Sequence, residues 1–269
     1  QGMKWDQARQ LEVLDKYAYL SRAAAREGAG IIVWPETAVP GYLRYQMGLL
    51  FRVKNVARVN KVWLIIGSPD YQDEKYYNSV FLISPDGEIA GQYSKMHLVL
   101  FGEKIPLRKT LAMFFKIFDE LGDYTPGEKI SLLETPAGKV GAEICFESVF
   151  PDLFRRFVKN GADLMVNVTE DGWYGRTSAP GQHFSVNIFR AVENRVSVVR
   201  AANTGISGFI DPYGRPRKIS AIFTEDFLTD EVVLREKTTF YTRYGDLFSY
   251  LCALITILSL LILVIKRKS

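Results

Sequence analysis

The chain has 269 residues, of which 48% are hydrophobic and 24% charged, values that suit one large globular core and exclude a disordered or fibrous chain. Its 34 Lys and Arg against 30 Asp and Glu leave a net charge of only +4, and the cations are scattered among acids, so no basic stripe points to a nucleic-acid partner. Two cysteines and two histidines form no cluster with zinc-ligand spacing, so neither a metal nor another cofactor is expected.

The chain begins at Gln1 with no charged and apolar leader, which leads us to expect further sequence upstream. From Trp5 to Arg26, Leu11, Leu14, Tyr17, Leu20 and Ala24 recur at helical spacing, with Asp6 as candidate N-cap and Gly28 and Gly30 as stops. A buried-strand pattern, Ile31 to Trp34, leads into Pro35 and Glu36. A helix over Leu49 to Asn60 precedes strands at Val62–Ile66 and Ser79–Ile83, a Ser84-Pro85-Asp86-Gly87 turn, and a strand running toward Tyr93 and Lys95. Between Leu107 and Leu121, Leu111, Met113, Phe114, Phe115, Ile117 and Phe118 give a helical pattern with a wide aromatic face, our candidate for an apolar surface at a membrane. The order then repeats. A strand over Lys139 to Ile144 ends at Cys145, a helix spans Val149 to Asn160, and a strand Asp163 to Val168 is followed by a helix from Gln182 to Asn194. Strands at Ser197–Arg200 and Ile206–Ile210 end in the turn Asp211-Pro212-Tyr213-Gly214. Strands alternating with helices argue an α/β protein, and the two hairpin turns argue mixed sheets.

The last element is an uncharged run, Leu247 to Ile265, close to the roughly 20 residues a helix needs to cross a bilayer core. Lys266, Arg267 and Lys268 come directly after it, which places the C-terminus in the cytoplasm by the positive-inside rule and the globular part on the opposite side. Cys252 lies inside this run, so a disulfide with Cys145 is not expected.

Glu36, Lys95 and Cys145 each come after a strand-like run. A cysteine attacks an acyl carbon as thiolate and needs a base for its proton and a donor for the oxyanion. Glu36 serves as the base and Lys95 as the donor in this reading. Singly, a core cysteine and two loop charges mean little. Their local sequences add more: Trp34-Pro35-Glu36, Tyr93-Ser94-Lys95 and Ile144-Cys145-Phe146-Glu147 resemble the three signatures of the nitrilase superfamily, whose Glu-Lys-Cys triad sits in an αββα sandwich with mixed sheets. Within it, the runs Lys95 to Glu103, Thr169 to Gly175, Thr177 to Pro180, Phe189 to Arg195 and Arg200 to Gly208 resemble the apolipoprotein N-acyltransferase branch. Leu100, Lys104, Glu170 and Gly181 depart from that branch's usual residues without touching the triad.

The resemblance implies a catalytic domain over residues 1–240, a transmembrane helix over 247–265 and a basic cytoplasmic tail over 266–269. It also implies a bacterial inner-membrane location with the domain on the periplasmic side, a phospholipid acyl donor and an apolipoprotein acceptor. Glu103 and Glu147 are implied as supporting acids: Glu103 to orient Lys95 or Glu36, Glu147 to hold a loop or the incoming amine, with a structural ion pair as the plain alternative for each. Trp173 is a weaker candidate for lining the substrate entrance. Oligomeric state is not legible. Rival readings are a carbon-nitrogen hydrolase acting on a small amide or nitrile with the same triad, and a membrane-anchored binding module on the same fold.

Overall fold

A computed structural model describes residues 7–100, 102–104 and 124–268. The aromatic segment Leu107 to Leu121 and the Asp6 cap lie outside the described residues. The elements run α1 (Gln7–Arg26), β1 (Ile31–Val33), α2 (Met47–Asn60), β2 (Trp63–Gln72), β3 (Lys75–Ile83), β4 (Ile89–Ser94), β5 (Leu132–Thr135) and β6 (Gly138–Ile144). A short 3-10 helix, Cys145–Val149, then leads to α3 (Pro151–Lys159), β7 (Leu164–Thr169), α4 (Ala179–Asn194), β8 (Val198–Ala202), β9 (Gly208–Ile210), β10 (Pro216–Ile219), α5 (Phe240–Tyr244) and α6 (Leu247–Lys268).

Two sheets result, one ordered β1-β2-β3-β4 and one ordered β10-β9-β8-β7-β6-β5. Both are mixed: β1 pairs with β2 in parallel and β7 with both β6 and β8, while hairpins supply the antiparallel pairs. Alternation along each strand sorts the side chains. In the first sheet Ile65, Val80, Leu82 and Tyr93 pack with Val140, Ala142 and Ile144 of the second, and Leu64, Ile66, Phe81 and Ile83 pack with Leu14, Val53 and Ala57 of α1 and α2. With Leu153, Phe154 and Phe157 of α3 and Phe184 and Ala191 of α4 in the other core cluster, the layers are αββα.

The β2–β3 hairpin is longer than the sequence pattern predicts. Its turn is Asp73-Glu74, both at positive φ, joining Gln72 to Lys75 in register. A turn of this kind ordinarily announces itself through Asn or Gly, and here it does not. Pro69 is tolerated because β1 pairs only with Trp63 to Ile65, leaving the far half of that edge without ladder partners to lose.

Two backbone features fix the position of the loop after β1 and the start of the last helix. Gly67 passes so close to that loop that a Cβ there would lie 2.5 Å from the Pro35 carbonyl oxygen and 2.6 Å from Glu36 Cα. Ahead of the last helix, the Thr239 side chain caps α5 by accepting from Thr242 N and donates to the Glu193 carbonyl, and Thr242 Oγ1 donates to Asn194 Oδ1. Those bonds anchor the start of α6 to α4. Helix α6 exposes its apolar residues along its length and is long and apolar enough to cross a membrane.

One buried acid lies outside these networks. Glu143 of β6 is fully buried, and among the described residues neither of its carboxylate oxygens has a hydrogen-bond partner. Burial first, then the nearby Glu147, pushes its pKa well above the usual carboxylate range, with Arg190 pulling weakly the other way. The folded state therefore holds a proton that the unfolded chain releases near pH 4.5, so this group costs increasing stability as pH rises above that value. Glu143→Gln, neutral at every pH, should flatten the fall in Tm between pH 5 and 8 and raise Tm at pH 8; thermal melts across that range check it, and an unchanged slope would reject a neutral Glu143.

Candidate active site

The three residues singled out from the sequence meet at one end of the sandwich. Lys95 comes directly after β4, its N–H donating to the Asn78 carbonyl, and its side chain is 1% exposed. Its Nζ lies 2.8 Å from Glu103 Oε2, 2.9 Å from Glu103 Oε1 and 3.6 Å from Glu36 Oε1. Asn78 Nδ2 bridges the two acids, donating to Glu36 Oε1 at 2.7 Å and to Glu103 Oε1 at 2.8 Å. The backbone completes the set: Glu170 N donates to Glu36 Oε2 and Val99 N to Glu103 Oε2, each at 2.9 Å. Burial works against the ammonium, but Glu36, Cys145 and Glu103 outweigh it and raise the Lys95 pKa.

Cys145 begins the 3-10 helix where β6 ends, with a left-handed φ of 54° and partial exposure. A side chain in that conformation costs about 1 kcal/mol or more and persists only where its surroundings enforce it. Burial and the Glu36 charge push the thiol pKa up to about 12, against the pull of Lys95 and a Thr169 hydrogen bond. The resting nucleophile is thus a neutral thiol whose proton must leave during reaction, not before it.

Glu147 is fully buried and accepts from four donors. Tyr93 OH, Met96 N and His97 N reach its Oε1 at 2.8, 2.7 and 3.0 Å, and Ile144 N reaches Oε2 at 2.9 Å. Burial raises its pKa, opposed by these donors and by Lys95. These bonds tie the Lys95 loop to the segment bearing Cys145. Glu103 contacts Lys95 Nζ through both of its carboxylate oxygens. Trp173 is 71% exposed, whereas the ring of its neighbour Tyr174 stands 6.1 Å from the His183 ring. Near Cys145 lie Phe146 and Phe150, whose rings meet at 6.0 Å, and His97 packs edge-on against Phe150 at 4.3 Å. A wider groove on α1, between Leu11, Lys16, Tyr19 and Glu225, includes none of the triad.

Sequence reasoning assigned no role to Asn78 or to a buried cluster behind Cys145. Arg200 donates to Asp171 Oδ2 at 2.7 Å and to Asn167 Oδ1 at 2.5 Å, and both ions of the Arg200–Asp171 pair are essentially inaccessible to solvent. Asp171 Oδ1 is 2.9 Å from His183 Nδ1, and His183 Nε2 is 3.2 Å from the Cys145 carbonyl oxygen. Asn167 Nδ2 and Ser148 Oγ donate to the same oxygen at 3.2 and 3.3 Å. A signal existed in the polar positions His183, Asn187 and Asn194, which fall on one face of α4 that the sequence otherwise marks as core-facing.

Comparison with known proteins identifies the family. Residues 1–236 match the carbon-nitrogen hydrolase family model. An apolipoprotein N-acyltransferase from Geobacter metallireducens is 45% identical over 257 residues, covering 94% of this chain and 49% of the relative. Proteins of the same description from Chlorobaculum tepidum and Thermotoga maritima are 30% and 36% identical, over 98% and 86% of this chain and 55% and 44% of theirs. The chain thus spans about half the length of the curated relatives it matches. Among solved structures, an amidase from Nesterenkonia sp. superposes with a TM-score of 0.62 at 22% identity, covering 79% of this chain and 81% of the amidase, a likeness of fold alone. With its αββα layers, its Glu-Lys-Cys grouping and a family match over nearly nine-tenths of its length, the chain belongs to the carbon-nitrogen hydrolase family.

Proposed function

We propose that this chain is the catalytic part of a phospholipid:apolipoprotein N-acyltransferase. The observation that carries the reading is a buried Glu36–Lys95 pair facing a partly exposed Cys145 in a chain that also bears an exposed apolar helix. In this reading residues 1–240 form the catalytic domain, 247–265 the span and 266–269 a cytoplasmic tail. The domain lies on the periplasmic side of a bacterial inner membrane. Support for acyl transfer comes from the 45% identical relative's description, and support for a lipid donor from the aromatic pair Phe146 and Phe150, which suits an acyl chain.

Glu36 takes the Cys145 proton as the sulfur attacks the ester carbonyl of a phospholipid acyl chain. Lys95 and the backbone N–H of Phe146 stabilise the oxyanion. Collapse breaks the acyl C–O bond, the lysophospholipid oxygen recovers the proton from Glu36, and the acyl group remains on sulfur. The α-amino group of a diacylglyceryl-modified N-terminal cysteine then attacks the thioester, Glu36 accepts its proton and passes it to the departing sulfur, and the amide product leaves with Cys145 regenerated. Glu103 holds Lys95 in place throughout, and Glu147 holds the loop. A neutral resting thiol suits a site that must not react until an ester is seated.

Two measurements test this. Incubated with phospholipid in detergent, the protein should gain the mass of one acyl chain, releasable by hydroxylamine and absent in Cys145→Ala, while Glu36→Gln should slow its formation at least about 100-fold. Turnover of small amides without any acyl-enzyme from phospholipid would instead favour the hydrolase reading. Because the thiol pKa is pushed up to about 12, iodoacetamide labelling of Cys145 should climb about tenfold per pH unit from pH 7 to 10 without a plateau; a plateau by pH 8 would mean that the thiolate already forms in the resting site.

A further inference from the structure

We infer that His183 is a positioning residue that aims the oxyanion-binding N–H of Phe146 by holding the Cys145 carbonyl. A trans peptide such as the one joining Cys145 to Phe146 is planar and sets its C=O and N–H on opposite sides, so whatever fixes the oxygen also fixes the direction of the hydrogen. Here the oxygen accepts from His183 Nε2, Asn167 Nδ2 and Ser148 Oγ, so the N–H of the same peptide must point away from this buried group of donors.

The left-handed φ of Cys145 makes this hold necessary. Released from its partners, a non-glycine residue relaxes toward negative φ, and rotation there would swing both the sulfur and the Phe146 N–H. A carbonyl oxygen only accepts, so His183 supplies the proton on Nε2. Its other nitrogen, Nδ1, lies 2.9 Å from Asp171 Oδ1 and 3.1 Å from Arg200 Nη2 and can donate to the first or accept from the second, one at a time. Arg200 is fixed in turn by Asp171, by Asn167 and by the Ile206 carbonyl, and Thr169 Oγ1 donates to Asp171 Oδ1. The arrangement reaches across three strands, because Asn167 and Arg200 are register partners on β7 and β8 and Cys145 directly follows β6 beside them. None of these side chains contributes to the Glu36–Lys95–Glu103 charge cluster. The network meets the site at the Cys145 carbonyl, while Glu170, between Thr169 and Asp171, reaches the base through its backbone N–H.

This inference rests on the acyl-transfer reading only in taking an acyl carbonyl as what approaches Cys145. The test compares two reactions of the full chain in detergent: acylation by p-nitrophenyl acetate, which forms an oxyanion, and alkylation by iodoacetamide, which does not. His183→Phe, which keeps the ring volume without the donor, should lower the acylation kcat about 100-fold with KM within threefold, while the alkylation rate stays within threefold. His183→Gln, whose amide nitrogen can replace Nε2, should recover acylation to within about tenfold of wild type. Ser148→Ala, which removes one of three side-chain donors, should give an intermediate loss and serves if the Phe variant does not fold. Unchanged acylation in His183→Phe, a parallel loss of alkylation, or a folded His183→Gln that recovers nothing would each overturn the inference. Wild-type acylation by the p-nitrophenyl ester but not by phospholipid would remove the lipid reading and leave this one decided by the variants; a wild type that is alkylated but acylated by neither ester would remove both.

Discussion

The interaction on which the site depends is the buried ammonium of Lys95 held between two carboxylates. An isolated cation at that depth would lose its proton or unfold the loop, and an isolated carboxylate would take one up. Together with Asn78, which donates to both acids, the three charges satisfy one another. Burial first, and then the Glu36 charge, raise the pKa of the nearby thiol against the pull of Lys95. The same cluster that supplies a base thus keeps its nucleophile quiet. Papain-like sites solve the activation problem in the opposite way, with a preformed thiolate beside a cation.

Around this cluster the fold divides the work between its sheets. The first sheet delivers Glu36, Asn78 and Lys95; the second delivers Cys145, Asn167 and Arg200. Because the two halves of the chemistry sit on different sheets, something must fix one sheet against the other at the site. Glu147 does so, receiving Tyr93, Met96 and His97 from the first sheet's side and Ile144 from the second's. Losing that carboxylate would orphan four donors at once, each costing about 1 kcal/mol or more where water cannot replace the partner.

Much of this was legible in the sequence, for identifiable reasons. Apolar alternation gave the central strands, helical periodicity gave α1, α2, α3 and α4, and the three short signatures gave the triad and the layer order. The far half of the β2–β3 hairpin was missed because its turn uses Asp73 and Glu74 in conformations that asparagine or glycine would normally signal. The sequence marked Glu103 and Glu147 as supporting acids but not the four donors that Glu147 collects, since hydrogen-bond partners about 50 residues away leave no periodic trace. His183, Asp171 and Arg200 were invisible as a unit for the same reason. A buried polar network is assembled by register across strands and by one helix face, and neither is encoded locally.

Gly67 shows how far the location of the base is a matter of backbone alone. The chain before Glu36 rests against β2 at a distance where a single methyl group would sit 2.5 Å from one backbone oxygen and 2.6 Å from the Glu36 α-carbon. Main-chain atoms in contact have no rotamers through which to relax, so this is a hard stop and not a cushion. It gives the carboxylate a tolerance narrower than side-chain packing could supply, and an alanine at that position would have to displace Glu36 by roughly 1 Å, enough to spoil a proton transfer. The least chemical residue in the sheet is therefore the one that gauges the distance over which the proton travels.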